Sequence, residues 1–268
     1  MQASGKTVVV TGGGNGIGRE LVLNLLGRGA RVAAIDISEA GLAETVQLAG
    51  DKADRLSTHV ADITDRATVE ALPSAIIEKH GQVDGLINCA GIIQPFVKVN
   101  DLDFAAIERV MNVNFWGLTY MTKTFLPHLL ARPSAHIVNV SSMGGFLPVP
   151  GQSIYGASKA AVKLLTEGLH SELTDTNVRV TVVFPGAIAT NISQNSGLDA
   201  PSVDEAGDTP KFKMTLPADA ARIIVDAMEK DAYRVCVGSD SKMMDRLCRL
   251  MPERAAGIIY KQMASLLG

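Results

Sequence analysis

Cysteine is scarce in this chain. Cys89, Cys236 and Cys248 are three in number and far apart, with no pair at metal-ligand spacing; that argues against both a disulfide framework and a zinc site. Histidine is just as thinly spread, and His59, His80, His128, His136 and His170 each read as a surface or core residue. There is no excess of basic charge. Against 28 aspartates and glutamates stand 25 lysines and arginines, giving a formal net charge of -3, so the electrostatic footprint of a nucleic-acid binder is missing. No apolar run reaches the ~18 residues of a membrane span. The start, Met1 to Lys6, runs directly into Thr7-Val8-Val9-Val10 without the three parts of a signal peptide. A Gly-x-Ser-x-Gly elbow is also absent, which leaves a hydrolase triad without support. The expectation is a soluble, cytoplasmic protein with no nucleic-acid partner.

What is present is a regular alternation. Short β-branched runs, Thr7 to Thr11, Arg31 to Asp36, Leu56 to Ala61, Val83 to Cys89, His136 to Ser141, Val178 to Phe184 and Tyr233 to Val237, are separated by helical patterns. Strands that alternate with helices predict an α/β fold: a doubly wound, Rossmann-like parallel sheet of seven strands with helices on both faces. At 268 residues the chain can form one such domain and bury roughly three quarters of its unfolded surface. Residues 1–238 are expected to form this domain and residues 239–268 a helical extension. One interval, 191–215, is rich in proline, glycine and acidic residues, and a loop that long in a compact domain is expected to be functional, here a lid over the substrate.

The turn Thr11-Gly12-Gly13-Gly14-Asn15-Gly16-Ile17-Gly18 lies between the first strand and the first helix. Glycines there allow a phosphate to come close, and the free N–H groups of a helix start receive its charge. The second strand ends in Asp36, placed to bind the ribose hydroxyls of NAD and to repel the extra phosphate of NADP. No arginine follows Asp36, and the turn carries Asn15 where a basic residue would suit NADP. Ligands of a doubly wound sheet lie at the carboxyl ends of its strands, which makes Asp62, Ile63, Asn88, Ala90 and Gly91 further walls of a cofactor site. Asp62 could equally cap the following helix.

Asn114 falls in an apolar helical segment and needs a hydrogen-bond partner if buried. The fifth strand exits into Ser141-Ser142. The segment from Ser153 to Leu173 reads as a helix with Ser153 as its cap, which places Tyr155 and Lys159, four residues apart, on one face of its first turn. A cation beside a phenol, together with the positive end of a helix dipole, favours the phenolate and makes an acid/base of a tyrosine.

In this order and spacing, these residues resemble the classical branch of the short-chain dehydrogenase/reductase superfamily, over about Gly5 to Gly238. The resemblance includes Pro185-Gly186 with Thr190, and Ser142 thirteen residues before Tyr155. It implies a catalytic tetrad: Tyr155 as general acid/base, Ser142 holding the substrate oxygen, Lys159 binding the nicotinamide ribose and lowering the tyrosine pKa, and Asn114 holding a water of a proton relay. It also implies that Ile188 and Thr190 contact the nicotinamide carboxamide. Where the family often has a second asparagine, this chain has Cys89.

The implied activity is NAD-dependent interconversion of a secondary alcohol and its ketone, with oxidation favoured. The alternatives are a non-redox, epimerase or lyase use of NAD, and a catalytically silent nucleotide sensor. Ile93, Phe96, Met143, Phe146, Leu147, Val149, Gln152, Phe184 and Met214 are expected around the substrate, a mostly apolar set that favours a hydrophobic substrate. The extension carries apolar residues at helical spacing among Lys242, Arg246, Arg249, Arg254 and Lys261. Burial against its own domain or a neighbouring subunit is expected ahead of membrane contact. The helical patterns 114–130 and 153–173 carry apolar residues on more than one face, and with the family resemblance they point to a homodimer or homotetramer.

Overall fold

The computed structural model of the protein describes residues 1–198 and 214–263. Its elements run in the order β1 (Thr7–Thr11), α1 (Gly16–Gly27), β2 (Arg31–Asp36), α2 (Glu39–Ala49), β3 (Leu56–Val60), α3 (Arg66–His80), β4 (Gly85–Asn88), α4 (Phe104–Met111), α5 (Leu118–Leu130) and β5 (Ala135–Val140). There follow α6 (Ser153–Glu172), β6 (Val178–Pro185), α7 (Ile192–Asn195), α8 (Pro217–Glu229), β7 (Arg234–Val237), α9 (Ser239–Leu250) and α10 (Pro252–Met263).

The strands form one seven-stranded sheet in the order β3-β2-β1-β4-β5-β6-β7, and every pairing is parallel. Side chains alternate across a strand, so both faces of a buried strand must be apolar. In β1, Val8 and Val10 join a core made with Leu21, Leu25 and Leu26 of α1 and Ile224 and Met228 of α8. Val9, between them, joins the opposite core with Ile76 of α3, Phe125 of α5 and Leu169 of α6. The winding reverses between β1 and β4, which opens a crevice at the carboxyl ends of the strands.

Two local departures bear on the site. β4 stops at Asn88 because the N–H groups of Cys89 and Ala90 both turn to Thr11 Oγ1, at 3.0 and 3.1 Å. The helical segment around Asn114 is not plain α-helix: Asn112–Gly117 forms a π-helical turn between α4 and α5, a feature frequent at functional sites.

The extension packs on its own domain. Met244 of α9 with Ala255 and Ile259 of α10 builds a third core on Leu147, against which Met143, Phe146 and Val149 of the loop after β5 are packed. At the start of α9, Asp240 Oδ2 accepts a 2.7 Å hydrogen bond from the N–H of Ala187, and Ser241 Oγ donates to the carbonyl of Phe184. A Cβ on Gly186 would collide with the Asp240 carboxylate, so glycine is required for this approach. The extension thus anchors the loop leaving β6. Among the described residues, no helix is long and apolar enough to cross a membrane.

Candidate active site

A cleft of about 1240 Å³ runs along the carboxyl ends of the strands, from the glycine turn to Tyr155. At one end the turn is shaped by contact: a Cβ on Gly18 would run into the carbonyl of Gly12, so α1 can begin this close to β1 only with glycine. Asn15 caps α1, its Oδ1 accepting from the N–H of Gly16. The Asp36 carboxylate lies across the turn and accepts from the N–H groups of Gly14 and Ser38, both at 2.9 Å. This leaves a cradle of glycine backbone beside an acid, which fits the phosphates and ribose of a dinucleotide. Arg19 also lines the cleft, but its guanidinium is bound to the carbonyl of Gly14 and to Glu44 at 2.6 Å. Its charge is therefore already paired next to Asp36.

Along the middle of the cleft lie Asp62, Ile63, Ala90, Gly91, Pro185, Gly186, Ile188 and Thr190, together with Gly12, Gly16 and Ile17. Asp62 accepts from the N–H and hydroxyl of Thr64, while Asp65 caps α3; of the two roles open to Asp62, the cap falls to its neighbour. Asn88 is a correction. Its side chain is buried away from the cleft, where its Nδ2 donates to Thr122 and Asn139, so it ties β4 to α5 and β5 and does not face a ligand.

At the far end, Tyr155 and Ser142 both line the cleft, and the Ser142 hydroxyl accepts from the N–H of Gly144 at 3.0 Å. Ser141, its neighbour, is buried and donates to the carbonyl of Lys159 at 2.7 Å, tying β5 to α6. The Lys159 ammonium is buried, donates to the carbonyl of Val140 at 3.1 Å, and is depressed to about 8 by loss of water. Loss of water also raises the Tyr155 phenol, with the Ser142 side chain acting in the opposite direction. Here the expected lowering is overturned: in the free protein, desolvation outweighs the stabilisation of the phenolate. Tyr155 therefore holds its proton in this state.

Two amides hold the tyrosine helix in place. Asn114 is fully engaged, Oδ1 accepting from the N–H of Ile92 and Nδ2 donating to the carbonyl of Ile92 and to Ser158 Oγ. Its side chain joins the π-helical turn, the β4 exit and α6, which occupies the amide that the resemblance assigns to a relay water. Gln94, missed in the sequence, is fully buried, and its Oε1 accepts from the N–H groups of both Ile154 and Tyr155 at 2.9 Å. It satisfies the open donors at the start of α6, the task expected of Ser153, which is instead the first helical residue. No sequence signal could have shown this, because Gln94 lies 61 residues from Tyr155.

The substrate end is lined by Ile93, Phe96, Met143, Val149 and Gln152. Phe146, Leu147, Phe184 and Met214 are not part of it. Phe184 is fully buried, edge-on to Phe146 and covered by the guanidinium of Arg234, while Phe146 and Leu147 serve the core under α9 and α10. Side chains alternate between the two faces of a strand, and Phe184, near the end of β6, points into a helix layer and not to the strand's end. Met214 stands beside the Ile188–Thr215 bridge, outside the lining. Most of the expected lid, residues 199–213, lies outside the described residues. Its described start is fastened to the cleft: Arg109 donates to the carbonyl of Ser196, and Ser196 Oγ accepts from the N–H of Ile93 at 2.9 Å. Met263 of α10 also lines the cleft, a position that sequence reading did not reach.

Comparison with known proteins agrees with this geometry. The family model described as short chain dehydrogenase matches residues 6–200. A Mycobacterium tuberculosis protein named as an oxidoreductase, SadH, is 40% identical over 253 residues, covering 92% of this chain and 91% of its own. Among solved structures, a 3-ketoacyl-(acyl-carrier-protein) reductase from Brucella melitensis complexed with NADH has 27% identity and a TM-score of 0.80, over 89% of this chain and 99% of its own. A short chain dehydrogenase from Burkholderia cenocepacia in complex with NADP has 28% identity and a TM-score of 0.80, over 97% of this chain and 99% of its own.

Proposed function

Since the chain belongs to the short-chain dehydrogenase family, matched over residues 6–200, we propose that this oxidoreductase uses NAD to interconvert a secondary alcohol with an apolar body and the corresponding ketone. The reading rests on one observation above all: Ser142, Tyr155 and Lys159 line the same cleft that Asp36 lines at its other end. Similar proteins have been crystallised with NADH and with NADP, so the choice between them is argued from this chain. Arg19, the described cation beside Asp36, is already paired, and the Asp36 carboxylate would repel a 2′-phosphate.

In that cleft, a bound nicotinamide dinucleotide would supply or accept the hydride. The chain's part is to handle the proton. In reduction, Tyr155 donates its proton to the carbonyl oxygen, and its raised pKa keeps that proton in place at neutral pH. Ser142 holds the same oxygen in line. In oxidation, Tyr155 must first lose its proton, and the Lys159 ammonium, four residues away, favours that loss once the site fills. Positioned proton transfer of this kind contributes ~10²–10⁴-fold to a rate. Lys159 is assigned to the nicotinamide ribose, with Ile188 and Thr190 toward the carboxamide. Ile93, Phe96, Met143, Val149 and Met263 give the substrate an apolar wall.

The test is a panel of secondary alcohols incubated with NAD, and of ketones with NADH, followed by the absorbance of the reduced nicotinamide. Turnover of apolar members supports the reading. Activity with NADP alone, or no turnover across the panel, would reject it.

A further inference from the structure

The chain that leaves β6 forms one wall of the cleft, with Pro185, Gly186, Ala187, Ile188 and Thr190 all lining it. Outside a strand ladder, the polar groups of such a segment must be held by their neighbours. Thr215 holds one side: its N–H donates to the carbonyl of Ala187 at 3.0 Å, and its carbonyl accepts from the N–H of Ala189 at 3.1 Å. The N–H of Gly186 donates to the carbonyl of Val237, the last residue of β7, at 2.9 Å. The N–H of Ala187 is held differently, by a side chain 53 residues further on. That side chain is the Asp240 carboxylate of α9, at 2.7 Å.

An acid in the first turn of a helix is favoured by the helix dipole wherever its side chain points. Two glycines tie this one to the loop. A Cβ on Gly186 would collide with both oxygens of the Asp240 carboxylate, and a Cβ on Gly238 would collide with Oδ1. Gly238 also has a φ of +98°, where a side chain is strained. Space for one carboxylate is thus kept open from the cleft wall and from the end of β7. Next to it, Ser241 Oγ donates to the carbonyl of Phe184 at 2.8 Å, so the first turn of α9 grips the segment at two points. A carboxylate accepting from a backbone N–H makes one of the stronger hydrogen bonds.

We propose that Asp240 is a positioning residue for the nicotinamide half of the cofactor. From the extension it fixes residues 185–190 in place before a dinucleotide arrives. Ordering a loop on binding costs affinity, and a loop already ordered avoids that cost. The glycine turn and Asp36, which take the phosphates and the adenosine ribose, lie at the other end of the cleft and do not depend on Asp240. The proposal rests on the cofactor reading above, and in particular on Ile188 and Thr190 facing the carboxamide.

The experiment measures dissociation constants by titration calorimetry for two probes: NADH, and ADP-ribose, which keeps the adenosine, pyrophosphate and second ribose but has no nicotinamide. In Asp240→Ala, NADH is expected to bind ~10-fold or more weakly, the size of a lost hydrogen bond to a charged group, with ADP-ribose within about twofold of wild type. Asp240→Asn keeps an acceptor oxygen and should hold NADH within ~3-fold of wild type, since a neutral hydrogen bond is roughly half as strong. Gly186→Ala, whose Cβ enters the space of the carboxylate, should reproduce the selective loss. Combined with Asp240→Ala it should lose no more than Asp240→Ala alone, because both changes remove the same contact. If Asp240→Ala does not fold, Gly186→Ala carries the comparison. General damage to the fold moves both probes together, so equal weakening of NADH and ADP-ribose overturns the proposal. Unchanged NADH binding in Asp240→Ala overturns it as well. A wild type that binds neither probe overturns it together with the cofactor assignment. Selective loss of NADH in a protein that oxidises no member of the alcohol panel upholds the proposal and counts against the alcohol reading alone.

Discussion

The ammonium of Lys159 lies 6.0 Å from the centre of the Tyr155 ring and gives a hydrogen bond to the Val140 carbonyl. Both groups are starved of water, and each is pushed toward its neutral form, Tyr155 upward and Lys159 down to about 8. At neutral pH the cost to the free protein falls on Lys159, because the Tyr155 phenol keeps its proton in both the folded and the unfolded chain.

That cost has a measurable consequence for Lys159→Met. A lysine whose folded pKa is depressed opposes folding in full below that pKa. The effect fades as pH rises toward the unfolded value of 10.5, because the unfolded chain then holds more protons than the folded one. The drop from 10.5 to about 8 corresponds to roughly 3 kcal/mol, less ~1 kcal/mol for the lost hydrogen bond. Ligand-free Lys159→Met is expected to melt higher than the wild type at pH 7, by a margin that shrinks by pH 10, while binding NAD ~10-fold or more weakly. Thermal melts across that range and cofactor titration check both; a lower melting temperature at pH 7 would contradict the account.

Tyr155→Phe removes the proton donor and leaves the glycine turn untouched. Turnover is expected to fall by ~10²–10⁴-fold, with the dissociation constant for NADH within about twofold of wild type. Steady-state rates and nicotinamide fluorescence report the two quantities separately. A variant that keeps a tenth of the wild-type rate would remove Tyr155 from the mechanism.

Replacing Asp36 by alanine takes away the charge that would face a 2′-phosphate. The ratio of kcat/KM for NAD over NADP should drop by ~10-fold or more, the size of a lost 1.4 kcal/mol. Much of the change should come from improved use of NADP. An unchanged ratio would show that discrimination lies elsewhere.

Acid should destabilise the fold through His136, His80 and the half-buried His59. His136 is buried between Thr181 and Asp231, with the chain's amino group bound to the same Asp231, and it is lowered to about 4 chiefly by loss of water. His59 and His80, which share the hydroxyl of Ser57, are also lowered. A depressed histidine contributes nothing adverse above pH 6.5, and stability falls as pH drops from there through the folded pKa. Chemical unfolding from pH 7 to 4.5 should show this slope, and His136→Gln should flatten it. A slope identical in the two proteins would place the acid sensitivity on other groups.

We also expect a dimer or tetramer. Phe104 is 82% exposed, Trp116 45% and Leu164 68%, on α4, the π-helical turn and α6. Trp116 stacks on Tyr120, adding an aromatic surface to these helices. Sedimentation should give an assembly at micromolar concentration, and Leu164→Glu should loosen it. A wild-type monomer at high concentration would refute the assignment.

The sequence by itself determined whatever depends on neighbours in the chain. β-branched runs gave the seven strands, because strand and helix periods differ and a strand covered on both faces must be apolar throughout. The glycine turn, Asp36, and the four-residue step from Tyr155 to Lys159 are local as well, and each lies at the cleft or beside it. Tertiary structure decided the rest. Gln94 caps the tyrosine helix from far along the chain, Asn88 turns into the core and away from the cleft, and α10 brings Met263 to the cleft. Phe146 and Phe184, apolar and near the site in sequence, went to the core under the extension. An apolar side chain is equally suited to a pocket wall or a core, and only the packing of the other elements chooses between them. Likewise, the sign of the Tyr155 shift was set by how much water the folded chain removes, a quantity that no spacing in the sequence contains.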